Sequence, residues 1–339
     1  MKVSKRQLIA GLTATATLAA TASTNARPIK KGQLSNPRAS SEARALYQYL
    51  NDVWGKKTLT GQQESNGRRG PRVELDYIQN TTGKLPAVLG LDYITPSDRA
   101  GVNDRATAWY QAGGIPTICW HWGNPMTGPG YESSKTYFNA PAALQMDTPE
   151  HAAFLRDMDE IAADLLVLQQ RRIPVLWRPY HEFTGKWFWW GMSGPETFKR
   201  LWVFMHDRFT HYYGINNLIW VLGYTKDPSA DYFPGRQYVD IVGADNYVSD
   251  HGAMKDMYDR VRAVTGDDLP IALHECGPIP DPDLLQQTGA NWLYFLTWHS
   301  EFVLDGKTNP PEFLKSVYNS ARYITRDKVP PLPHYATPA

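Results

Sequence analysis

From about residue 58 the chain alternates short apolar, β-branched runs with turn-forming residues and then longer amphipathic stretches. That is the pattern of strands alternating with helices. Eight runs have the length and composition of strands: residues 58–63, 87–93, 115–122, 173–182, 217–223, 240–247, 270–277 and 292–299. Helical stretches are predicted between them over 97–111, 149–170, 195–213, 253–264 and 311–324, with Pro149 and Pro195 where a first helical turn tolerates proline. Runs such as Ile219-Trp220-Val221-Leu222 and Ile271-Ala272-Leu273 are apolar throughout, as expected of strands buried on both faces in a parallel sheet.

An open doubly wound sheet would favour a Gly-rich phosphate loop after the first strand, and Gly61-Gln62-Gln63-Glu64 is not one. The expected fold is therefore α/β, a single-domain (β/α)8 TIM barrel, which uses most of the 339 residues. Residues 124–148 form a long Pro- and Gly-rich segment without periodicity. In a barrel this is an extended loop on the catalytic face, where loops carry substrate contacts.

The first residues change the picture of location. Lys2, Lys5 and Arg6 precede a run of apolar and small residues from Leu8 to Ala20, followed by Thr24-Asn25-Ala26. This reads as an export signal over residues 1–26, too short in its apolar part to span a bilayer, and an extracellular or periplasmic protein is expected. Lys5-Arg6 is a weak hint of twin-arginine export. A short linker over 27–38 and a catalytic barrel over 39–330 complete the expected organisation. Removal of the signal takes the formal net charge from +1 to −2 and leaves no basic tract, so neither nucleic acid nor membrane is expected as a partner. Oligomerisation has no signal in the sequence, and a monomer is the default. Cys119 and Cys276 could pair only if their segments lie side by side, and two buried thiols are the blander reading.

The excess that bears on function is aromatic: 12 Trp, 19 Tyr and 11 Phe, many beside Gly, Pro or His. Such rings serve as platforms for flat or ring-shaped ligands as well as core. The ends of the predicted strands carry Gln62, Asp92 and Tyr93, His121 and Trp122, His181 and Glu182, Tyr224, Asp245 and Tyr247, Glu275, and Trp298 and His299. In barrels the reactive side chains gather at those ends. Glu182 ends the fourth run and Glu275 the seventh, facing each other across a barrel mouth. Hydrolysis of a glycosidic bond with retention needs one carboxylic acid to protonate the leaving oxygen and one carboxylate to attack the anomeric carbon, about 5 to 5.5 Å apart. Burial beside Trp187 and Phe188 would raise the pKa of Glu182, while Arg178 or the Tyr247 hydroxyl could keep Glu275 ionised. His181 could hydrogen-bond either the substrate or the nucleophile. A zinc or iron site built from His121, His181, His274, His299 and Asp245 is the competing chemistry, without any supporting ligand spacing.

The run Trp177-Arg178-Pro179-Tyr180-His181-Glu182, followed by Trp187-Phe188-Trp189-Trp190-Gly191, resembles the acid/base region of glycoside hydrolase family 26, whose best-known members are β-mannanases. Gly61-Gln62-Gln63, Leu89-Gly90-Leu91-Asp92-Tyr93, Trp120-His121-Trp122, Asp245-Asn246-Tyr247 and His274-Glu275 follow in order, so the resemblance covers roughly residues 40–325. It implies a retaining double displacement on a mannan-type polysaccharide, with Glu182 as acid/base and Glu275 as nucleophile. It also implies that Tyr247 hydrogen-bonds the nucleophile, that Trp298 floors the sugar at the cleavage point, that His121 and Trp187 line its two sides, and that no metal or organic cofactor takes part. His181 would stand where related barrel families carry Asn. Some members carry Arg after the eighth-strand Trp; here His299 follows Trp298, which leaves internal cutting and a bias toward chain ends both open. The alternatives are a related endo-glycanase acting on mixed-linkage β-glucan or β-1,3-xylan and, from another class, a non-catalytic carbohydrate-binding barrel.

Overall fold

The computed structural model describes residues 30–65, 70–332 and 335. The export signal read in residues 1–26 lies outside the described residues. Eight parallel strands close a barrel, each hydrogen-bonded to the next: β2 (Gly61–Gln63), β3 (Val88–Asp92), β4 (Ile115–Cys119), β5 (Val175–Arg178), β6 (Leu218–Thr225), β7 (Ile241–Asp245), β8 (Ile271–Cys276) and β9 (Phe295–Thr297). All eight predicted runs contribute one strand, and the barrel is the (β/α)8 fold the pattern called for. The first run divides: Thr58–Leu59 (β1) pairs instead with Tyr323–Ile324 (β10) in a separate two-stranded sheet. The helix predicted to run to residue 324 accordingly stops at Asn319. A helix could not supply the parallel hydrogen bonds that β10 gives β1.

The long helix Pro149–Gln170 has the bounds the periodicity predicts; the Thr148 side chain accepts from the His151 amide and proline opens its first turn. The helix over 195–213 runs instead from Gly194 to Asp207 and continues as a π-helical turn, Arg208–Tyr212. Helix Ser41–Val53, which the sequence reading did not single out, packs Ala43, Leu46, Tyr47 and Leu50 into one cluster with Leu59, Val88, Ile115, Ile219 and Ile241. It lies against the N-terminal ends of the strands, opposite the rim that carries the chemistry. The segment read as a linker is tied to the same end: Leu34, Ser35 and Asn36 are buried, and the Ser35 amide donates to Asp240 Oδ1 at 2.5 Å.

A second, larger cluster fills the space between strands and helices, with Trp177, Trp202, Trp220, Leu222, Ile271 and Leu273 among its members. Cys119 and Cys276 are separate, buried thiols. No helix among the described residues is long and apolar enough to cross a membrane.

One irregularity positions chemistry. Along β8, Ile271 and Leu273 face the helices while Ala272 belongs to the inner cluster. His274 also points inward, its ring against Gly223 and Gly243. Strict alternation would then send Glu275 outward with Leu273. The register slips at this point: Ala244 pairs with Leu273, and Asp245 pairs with Glu275. His274 is the extra residue of a bulge, and Glu275 is turned to the barrel mouth by it.

Candidate active site

Glu182 lies beyond the end of β5, in a tight turn where Tyr180 (φ 51°) and Glu182 (φ 57°) both adopt left-handed backbone. Such conformations cost non-glycine residues roughly 1–3 kcal/mol each and persist where the surroundings impose them. Here the Glu182 amide donates to the Gly223 carbonyl at 3.0 Å, and the Trp190 indole donates to the His181 carbonyl at 2.8 Å. The tryptophan-rich run after the acid is thus largely scaffold: Trp189 and Trp190 are fully buried, and Trp189 donates to the Trp122 carbonyl. Gly191 passes so near the Phe183 carbonyl oxygen that an added Cβ would stand 2.2 Å from it.

The two glutamates sit in different surroundings. Glu182 has one donor, the Trp187 indole N–H at 2.8 Å. Burial and the neighbouring Glu275 charge push its pKa up to about 7. Glu275 receives Arg178 Nη2 at 2.5 Å on Oε1 and the Tyr247 hydroxyl at 2.9 Å on Oε2. Arg178 itself is buried, and its other nitrogen donates to both oxygens of Asp245 at 2.9 and 3.2 Å. Oxygens of Glu182, Asp245 and Glu275 all lie within 4.8 Å of one another. Arg178 and Tyr247 were alternative donors in the sequence reading, and both serve.

The cleft has two halves that share Tyr131, Glu182 and Tyr247. One, of about 600 Å³, is lined by Gln63, Asp92, His121, Glu275, Trp298 and His299 among others. The other, of about 430 Å³, is lined by Trp187, Lys135, Lys226, Asp245 and Asn246. His121 and Trp298 therefore stand on one side of Glu182 and Trp187 on the other. In chemical terms, a proton donor sits at the junction of two sugar-sized compartments, with a donor-supported carboxylate at the floor of one.

His181 is placed differently from a cleft-lining residue. It is fully buried, its Nε2 lies 3.1 Å from His121 Nε2 and 4.0 Å from Glu275 Oε1, and it lines neither half. Burial first, then Arg178, holds its pKa well below the usual histidine value. The histidines weighed as metal ligands do not converge among the described residues: the metal-sized groups are Asp92 with Cys119 and His121, His206 with Asp207 and His211, and Glu182 with Asp245 and Glu275. His274 is inside the barrel, and His299 turns its Nδ1 to the Ser300 hydroxyl at 2.8 Å. The sequence reading missed Tyr131, Lys135 and Lys226 as cleft residues. Tyr131 comes from the aperiodic loop, whose Asn124 side chain donates to Thr136 Oγ1 and the Tyr137 carbonyl and so folds the segment over the mouth. The only sequence signal for it was an aromatic after Gly128-Pro129-Gly130.

Residues 35–328 match the family model described as glycosyl hydrolase family 26. The mannan endo-1,4-beta-mannosidase of Thermothelomyces thermophilus is 39% identical over 313 residues, covering 87% of this chain and 63% of that protein. Mannan endo-1,4-beta-mannosidase A of a Piromyces species is 34% identical over 310 residues, 88% of this chain and 50% of that protein. The chain thus spans between half and two thirds of the length of these curated relatives. Among solved structures, a beta-(1,4)-mannanase of Podospora anserina superposes with a TM-score of 0.81 at 34% identity, covering 91% of this chain and 72% of that one. A beta-mannanase from a symbiotic protist of the termite Reticulitermes speratus, complexed with gluco-manno-oligosaccharide, gives 0.81 at 32% identity, covering 89% and 98%.

Proposed function

Because the chain belongs to glycosyl hydrolase family 26, we propose that it hydrolyses β-1,4-mannosidic bonds in mannan, galactomannan or glucomannan with retention of configuration. The observation that carries the reading is the contrast between the two glutamates at one cleft junction: Glu182 with a pKa near 7 and a single indole donor, Glu275 held by a guanidinium and a phenol. Environments that drive two carboxyl groups apart in this way assign acid and nucleophile.

Glu275 attacks the anomeric carbon of the sugar lodged over Trp298, while Glu182 gives its proton to the departing glycosidic oxygen. Water then enters, Glu182 takes its proton, and hydroxide character at that oxygen displaces Glu275 from the sugar. The oxygens within 4.8 Å suit the short carboxyl separation of retention. Arg178 and Tyr247 orient Glu275. Mannose rather than glucose or xylose is favoured by the relatives, which are mannan endo-1,4-beta-mannosidases.

The test is product release from galactomannan, glucomannan, barley β-glucan and β-1,3-xylan by the chain and by Glu275→Ala. Release from the mannans alone, lost in the variant, supports the reading. Cleavage of glucan or xylan instead moves the substrate, and retention of activity by the variant removes Glu275 as nucleophile. Export belongs to the same proposal: residues 1–26 are to be removed on secretion, so N-terminal sequencing of secreted protein is expected to begin at Arg27.

A further inference from the structure

Asp92 ends β3 at the cleft and makes a fixed set of bonds. Its Oδ1 accepts from the Ile94 amide at 2.9 Å and the His121 amide at 3.1 Å; its Oδ2 meets His121 Nδ1 at 2.6 Å. A carboxylate that accepts only obliges His121 to carry its proton on Nδ1. The Nε2 of a neutral His121 is then bare, and it faces His181 Nε2 at 3.1 Å. One proton must lie between two ring nitrogens at that distance, so His181 carries it. The same Nε2 lies 4.0 Å from Glu275 Oε1, beyond hydrogen-bond reach.

We propose that Asp92 is a positioning residue of the active site: through His121 it selects the tautomer of His181, so that this ring carries its proton on Nε2, the atom 4.0 Å from Glu275 Oε1, and not on Nδ1. The kinetic part of this rests on the retaining reading above; the tautomer does not. The groups facing the pair are Asp92 from β3, Arg178 from β5, His274 from β8, and Glu182 and Glu275 from the ends of β5 and β8. Burial opposes a charge on His121, and Asp92 outweighs it, so its pKa lies above the usual histidine value, whereas that of His181 lies below. Protonation therefore falls on His121, and the Asp92 side of the pair governs it.

Asp92→Asn is informative because the backbone fixes its orientation. The two amides that point at Oδ1 retain the oxygen there, which sets the NH2 against His121 Nδ1. His121 then carries its proton on Nε2 and donates it to the His181 Nε2 lone pair, so that His181 carries its own proton on Nδ1. The experiment is nitrogen-15 NMR of histidine-labelled protein at a pH where both rings are neutral, with pH profiles of kcat/KM on a mannan oligosaccharide and a thermal melt. The wild type should show the proton on Nδ1 of His121 and Nε2 of His181, and Asp92→Asn should show both exchanged. Loss of about 10- to 100-fold in kcat/KM is expected for a partner of this kind. A wild type with His121 protonated on Nε2 overturns the proposal without any variant, as does an exchanged tautomer with an unchanged kcat/KM. Inactivity of wild type on every polysaccharide, with the tautomers as expected, overturns the hydrolase reading alone.

Discussion

At the residue scale the site is a contest over two carboxyl groups. In the proposed mechanism Glu182 works as an acid only while protonated, and burial and the Glu275 charge push its pKa up to about 7. Activity as kcat/KM should therefore fall as pH rises through about 7. The Trp187 N–H favours the ionised form, so Trp187→Phe should raise that pKa and move the alkaline limb to higher pH, alongside weaker binding in the half of the cleft that Trp187 lines. A pH profile of the variant that keeps the wild-type alkaline limb would show that the indole bond does not set the acid. Arg178 is the opposite case, a buried cation bonded to Asp245 and Glu275. Replacing it by Met leaves two buried carboxyl groups without their partner, which costs about 3–5 kcal/mol for a broken buried pair. Urea unfolding should register that loss, and turnover should fail with it. Glu182 and Glu275 were visible in the chain because strand ends can be counted; Tyr131 was not, because no periodicity places a residue of an irregular loop.

At the scale of elements, helix Ser41–Val53 closes the end of the barrel away from the cleft. Leu50→Ala there should cost about 2–5 kcal/mol in unfolding free energy, as core Leu deletions do, and leave kcat/KM unchanged. A matching fall in kcat/KM would mean that the plug and the site are mechanically coupled. The helix was overlooked in sequence because it precedes the repeating pattern, although Ser40 caps it on the Ala43 amide. The bulge at His274 was equally out of reach. A two-residue period says which side chains share a face, and a bulge is a departure from that period forced by the neighbouring strand.

At the scale of the whole molecule, closure sets the tolerances. A Cβ on Gly243 would lie 1.8 Å from the Ala272 carbonyl oxygen of the adjoining strand, a backbone atom that cannot turn aside. Gly243→Ala should thus yield little soluble folded protein, judged by expression and circular dichroism, whereas a folded and active variant would show that β7 and β8 can part locally.

The strand count, the barrel and the candidate pair Glu182 and Glu275 follow from the order of residues along the chain, because hydrophobic period and strand ends are local properties. What each group does to its neighbours is not local. Glu275 is held by Arg178, 97 positions away, and His181 meets His121, 60 positions away. Those distances collapse only when eight strands close, and burial at the closed mouth is what raises one carboxyl pKa and surrounds the other with donors. Tertiary structure alone also drew His181 out of the cleft and behind Glu275, since the tight turn that brings Glu182 to the cleft buries the residue before it.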